Sequence, residues 1–147
     1  MSSPLEELGH SVKKLQSRHH KALDSRLQSL GISLVQWNAL RAIHDHPQTS
    51  AHALAEKSFN SDQAFGMLSN RLVQQAFVER KPGKGRAIVH TLTPKGERLL
   101  KEGRAIVLDS LKVSFSPLTP QEQSVLLKLL TKCIGAVQSK NHSGKAY

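Results

Sequence analysis

Between Thr49 and Thr93 the hydrophobic period changes once, and that change constrains the fold more than any other feature of the chain. Up to Leu72 apolar residues recur every three or four positions. After Phe77 they fall in two β-prone runs, Val78-Glu79-Arg80-Lys81 and Arg86 to Thr93, separated by Pro82-Gly83-Lys84-Gly85. Helical spacing lines side chains along one side of a cylinder and a period of two lines them along one face of a strand, so the two stretches are different elements. Glycines and a proline between β-prone runs make a hairpin.

Ahead of the hairpin, Thr49 or Ser50 caps a short helix through Lys57, with Ala51, Leu54 and Ala55 facing inward. Ser58-Phe59-Asn60 is a tight connection. Ser61 then caps a helix reaching about Gln75, with Asp62 favoured in its first turn by the macrodipole and Phe65, Leu68 and Leu72 on its buried stripe.

Longer helices flank this segment. Ser3-Pro4-Leu5-Glu6 is a capping box with a first-turn proline, and the apolar stripe that follows, Leu5, Leu8, Val12, Leu15, Leu23, Leu27 and Leu30, stops at Gly31. Ser33-Leu34-Val35-Gln36 opens a helix carrying Trp37, Leu40 and Ile43 that His46-Pro47 ends. Thr93-Pro94 starts another, through Leu99, Leu100, Ile106, Val107 and Leu111 toward Phe115. Thr119-Pro120-Gln121-Glu122 starts the last, with Val125, Leu126, Leu129, Leu130, Cys133, Ile134 and Val137 on its stripe, before a polar tail from Ser139 expected to fray.

The predicted class is mainly α with a small β-hairpin wing: a winged helix-turn-helix with long N- and C-terminal helices. The 147 residues make one domain. Its lobe is expected over 32–93 and its dimerisation helices over 3–30 and 94–139. In such a layout the second helix of the motif fits the major groove of duplex DNA and the hairpin reaches the minor groove beside it. Lys plus Arg number 21 against 11 Asp plus Glu, a net charge of +10 that favours polyanions. Lys81, Lys84 and Arg86 concentrate that charge on the hairpin, where cations neutralise phosphates or enter a narrow minor groove.

Over nearly its whole length the chain resembles the MarR family of transcriptional regulators. The resemblance rests on Gln36-Trp37-Asn38-Ala39-Leu40, Leu54-Ala55-Glu56-Lys57, Asn70-Arg71-Leu72, Phe77-Val78-Glu79-Arg80 and, most specifically, Leu92-Thr93-Pro94-Lys95-Gly96 after a basic hairpin. It implies a bacterial, ligand-responsive repressor that binds a palindromic operator as a homodimer through its terminal helices. Two departures mark this chain. Where the family's wing usually carries Asp-Arg-Arg, this one has Lys84-Gly85-Arg86, and where its recognition helix often has Ser-Arg, this one has Gly66-Met67. The target sequence is therefore expected to differ from a typical member's.

The residues expected at DNA are Ser61, Asp62, Gln63, Ala64, Gly66, Met67, Asn70 and Arg71 on the helix and Lys81, Lys84 and Arg86 on the hairpin. Gln63 and Asn70 suit adenine, Ala64 and Met67 a thymine methyl, and Arg71 a phosphate or an intramolecular partner. Asp62 starts the helix and is only secondarily a cytosine reader. His19, Trp37 and Phe115 are candidate walls of an effector pocket. The terminal helices are the longest, and with only 4% aromatic residues to share among six helices, packing against a second copy accounts for their apolar surface.

Other classes find less support. His19-His20 and His44/His46 miss the i, i+4 spacing that places two imidazoles together, so no metal is expected, and no cofactor. No glycine-rich phosphate loop or nucleophile-base set suggests an enzyme. No apolar run would span a membrane and the start does not read as a signal peptide, which points to the cytoplasm. Cys133, the only cysteine, is expected to be a buried, inert thiol. The competing reading is a winged-helix architectural or protein-interaction module without a specific operator.

Overall fold

The computed structural model describes residues 1–85 and 87–143, and for 136–143 the backbone alone. Its elements are α1 (Pro4–Leu27) with a closing 3-10 turn (Gln28–Leu30), α2 (Leu34–Asp45), α3 (Ala51–Lys57), α4 (Asp62–Gln74), β1 (Val78–Pro82), β2 (Ile88–Leu92), α5 (Pro94–Ser114) and α6 (Pro120–Ser143). They are grouped in two compact units, residues 1–110 and 111–147.

In the first unit the helices start where side chains satisfy their open amides. Ser3 and Ser33 form capping boxes with Glu6 and Gln36, and Ser50 and Ser61 accept from the third helical N–H of α3 and α4. The last turn before Gly31 tightens to a 3-10 turn, and Gly31 closes it at φ +74°. Asp24 Oδ1 accepts from Leu34 N at 2.7 Å, joining α1 to the start of α2, and Arg26 reaches α5 through Asp109 (2.9 Å) and Ser110 (2.6 Å).

The core lies where α2, α3, α4 and the hairpin converge: Leu40, Leu54, Phe65, Leu72 and Val78 are almost wholly buried. β1 and β2 pair antiparallel, with Val78 opposite Leu92, Arg80 opposite His90 and Pro82 opposite Ile88. Alternation along β1 puts Arg80 on the same side as buried Val78, toward α4.

Three details differ from expectation. Ala51 is exposed, because it opens α3 at the surface end, while Leu54 and Ala55 point in. On α4 Leu68 is only half-buried, and Ser69 takes the fully buried place beside it. The first strand runs one residue further than its β-prone run, through Pro82, and the second is shorter than its run, starting at Ile88, with Gly83 N donating to Ala87 O at 2.8 Å across the hairpin end.

The second unit consists of the end of α5, a turn and α6. Thr119 and Glu122 form the expected capping box, and Gln123 Nε2 donates to the carbonyls of Phe115 and Leu118, fixing the turn. α6 runs on as helix through Ser143 where a frayed tail was expected; residues 144–147 lie outside the described residues. Cys133 is exposed rather than buried, as are Val125, Leu129, Leu130 and Ile134 around it, since among the described residues of its unit nothing covers this helical face.

Candidate nucleic-acid interface

The turn between α3 and α4 is built from its own side chains. Ser58 Oγ donates back to Leu54 O at 2.7 Å, Phe59 adopts φ +63°, and Asn60 N donates to Ala55 O at 2.8 Å while its side-chain amide donates to Ser58 O. This sets the angle at which α4 leaves α3. Phe65 and Leu72 then pin α4 to the core, and Ser69 Oγ lies 2.8 Å from His90 Nε2 on β2. Phe65 meets the same imidazole edge-on, with ring centroids 5.6 Å apart. His90 is buried, its Nδ1 has no partner among the described residues, and burial, then the charge of Arg80, pushes its pKa down. The helix and the hairpin therefore meet on a neutral imidazole.

On the opposite face Ser61, Asp62, Gln63, Ala64, Gly66, Met67, Asn70 and Arg71 are all exposed. They are not equally available. Asp62 is engaged by His52 of α3, whose Nδ1 lies 2.8 and 3.0 Å from its two carboxylate oxygens. Asn70 Oδ1 accepts from Arg80 Nη1 at 2.7 Å. Among the described residues Gln63, Met67 and Arg71 have no side-chain partner. On the hairpin Lys81 sits 3.4 Å from Glu79 in a solvent-exposed pair, Lys84 is exposed, and Gly85 turns at φ +68°; Arg86 lies outside the described residues. His52 and Arg80 were not among the residues expected at this surface. Arg80 was legible only as one strand residue among several basic ones.

The Leu92-Thr93-Pro94-Lys95-Gly96 motif is the joint between this lobe and α5. Thr93 N donates to Phe77 O (3.1 Å), its hydroxyl donates to Ala76 O (2.6 Å) and accepts from Gly96 N (3.0 Å), and Lys95 Nζ donates to Gln75 O (3.2 Å) above the Phe77 ring. A Cβ on Gly96 would collide with the Phe77 carbonyl, which is why that position holds glycine. Ala76, whose carbonyl Thr93 holds, is itself in the left-handed region at φ +62°.

Of the residues expected around an effector, Trp37 is core. It is 4% exposed, donates its indole N–H to Leu100 O at 3.2 Å and packs on Gly103, leaving no room there for a Cβ. His19 is half-buried on α1 of the first unit, and Phe115 half-buried at the end of α5 in the second. A surface groove of about 350 Å³ lies instead between α2 and α5, lined by His44, Glu97, Arg98, Leu100, Lys101 and Arg104. His44 bridges it, 3.1 Å from Asp45 and 3.7 Å from Glu97. That hydrogen bond to His44 holds the Asp45 carboxyl below the usual range.

Residues 30–87, from the end of α1 into the hairpin, match the MarR family. This stretch is similar to MarR-family domains. Outside it the MarR likeness extends over most of the chain. The HTH-type transcriptional repressor Rv2887 of Mycobacterium tuberculosis is 25% identical over 127 residues, 85% of this chain and 91% of that protein. The crystal structure of Rv2887 with salicylic acid superposes at a TM-score of 0.73 over 90% of this chain and 97% of that one. At the level of fold alone, a mutant MarR of E. coli in complex with operator DNA, 23% identical, reaches a TM-score of 0.79 over 90% of this chain and 99% of that one.

Proposed function

We propose that the chain is a MarR-type transcriptional repressor that binds duplex DNA as a homodimer in the cytoplasm and is released or retained by a small molecule. The observation that carries this reading is the joined surface of α4 and the hairpin. The exposed face of α4 is tied to β1 by the Arg80–Asn70 hydrogen bond and rests on buried His90, so helix and wing present one rigid, basic surface. α4 is the right size for the major groove, with Gln63, Ala64, Gly66, Met67 and Asn70 toward base edges. Ser61, Arg71, Lys81, Lys84 and Arg86 serve the phosphates or the minor groove, and Asp62 is held back by His52. Kinship with named repressors, one of them crystallised with DNA, supports the assignment.

Dimerisation falls to residues 3–30 and 94–139, with 32–93 as the DNA-binding lobe. Leu5, Leu8, Val12 and Leu15 on α1 are exposed, as are Val125, Leu129, Leu130 and Ile134 on α6, each a continuous apolar stripe of the kind a second copy covers. The effector is a small organic anion, the class to which the salicylic and p-aminosalicylic acids bound by Rv2887 belong. Arg98, Lys101 and Arg104 at the α2–α5 groove supply cations for it.

Selecting duplexes from a random pool with the full chain, then footprinting the winner, tests this. The expected site is a palindrome with half-sites about 10 base pairs apart, one helical turn. Recovery of no shared sequence, or protection of one asymmetric half-site at saturation, would overturn it.

A further inference from the structure

On the exposed face of α4 the acceptor groups are largely spoken for, and what is left at its centre is apolar. Both oxygens of Asp62 lie within hydrogen-bond reach of His52 Nδ1, and Asn70 Oδ1 already accepts from Arg80. Gly66 contributes no side chain, and nothing lies within 4 Å of where its Cβ would be. Between them Met67 stands 70% exposed, with Gln63 one turn before it and Ala64 at i−3 extending the same apolar strip. A large exposed apolar side chain whose neighbours Asp62 and Asn70 are already engaged is a contact surface for something apolar.

In the major groove only one base edge carries an apolar mark, the C5-methyl group of thymine. We propose that Met67, with Ala64 beside it, is a specificity-determining contact of this chain and reads a 5-methylpyrimidine in each operator half-site. The thioether suits the task, being unbranched and polarisable, and Gly66 lets the groove floor come close on its other side. Polar readout is then left mainly to Gln63. The inference rests on the proposed DNA-binding function.

The test uses the full chain and its selected operator, with each thymine replaced in turn by deoxyuridine, which removes the methyl group and leaves every hydrogen-bonding group in place. One position per half-site should weaken binding about three- to five-fold, the worth of one buried methyl. Met67→Leu should keep that sensitivity and Met67→Ala should abolish it, with thermal midpoints unchanged because the side chain is exposed. Where that thymine pair is replaced by a cytosine pair, 5-methylcytosine should bind better than cytosine by a similar factor. If the selected operator is still preferred to random duplex but no single deoxyuridine matters, or if its effect persists in Met67→Ala, the inference fails and the DNA-binding function stands. If the full chain prefers no duplex over random sequence, both fail.

Discussion

Arg80 Nη1 donates to Asn70 Oδ1 at 2.7 Å, so the first strand of the hairpin holds the exposed face of α4 by a side chain from each. Both residues are solvent-exposed, and the pair's value lies in fixing geometry more than in stability. In an Arg80→Ala, Asn70→Ala double-mutant cycle, thermal unfolding should show a coupling of about 0.5–1 kcal/mol. Operator binding should show a larger one, because the tie orients both contact surfaces. A coupling of zero in both assays would mean that this pair does not tie the helix to the hairpin.

Gly96→Ala should destabilise the chain by about 2–3 kcal/mol, since the added methyl collides with the Phe77 carbonyl and backbone on both sides resists moving. Gly9→Ala is the control. Its Cβ meets nothing within 4 Å on α1, so it should stabilise by about 0.5–1 kcal/mol. Urea midpoints with an unchanged slope read both. Equal effects would remove the steric account of the motif glycine.

His90 gives the fold an acid limit. Its folded pKa is pushed below the unfolded value of about 6.5 by burial and by Arg80, so the unfolded chain binds the proton more readily. The contribution is therefore fully present above pH 6.5 and is lost as pH falls from there toward the folded pKa, at no more than about 1.4 kcal/mol per pH unit. His90→Gln should flatten that part of the stability-pH curve. A variant with the parent's slope would assign the acid sensitivity elsewhere.

Charging the exposed stripe of α1 should split the dimer without unfolding the chain. Leu8 and Val12 are 61% and 51% exposed, so Leu8→Glu with Val12→Glu removes no core packing. Sedimentation should show a monomer, circular dichroism an unchanged helix content, and operator binding a loss of at least about tenfold, as two linked half-sites become one. A variant that still sedimented as a dimer would place the interface elsewhere.

The helix starts could be read from the chain because capping is local. Ser3 with Glu6, Ser33 with Gln36 and Thr119 with Glu122 each close within three residues, and all three boxes form. The hairpin and the Gly31 stop are similarly short-range. What could not be read joins elements distant in sequence: Ser69 with His90 across 21 residues, Arg80 with Asn70 and His52 with Asp62 across 10. A serine on the buried side of α4 is invisible to a hydrophobic period, since only its histidine partner explains it. Phe59 and Ala76 adopt left-handed backbone that glycine would have announced and they do not. Cys133 read as buried because an apolar stripe looks the same whether its own chain covers it or leaves it open.

The most direct test of the account is one titration of the full chain against its selected operator and a scrambled duplex at several salt concentrations, repeated with Gln63→Ala. The operator should win by at least about a thousandfold. Gln63→Ala should remove about 1–3 kcal/mol of that preference while leaving the salt dependence, which comes from the phosphate contacts of the hairpin, as it was. Equal affinity for the two duplexes, with the same steep salt slope in both proteins, would contradict it: the surface of α4 and the hairpin would then be a basic patch without a sequence to read.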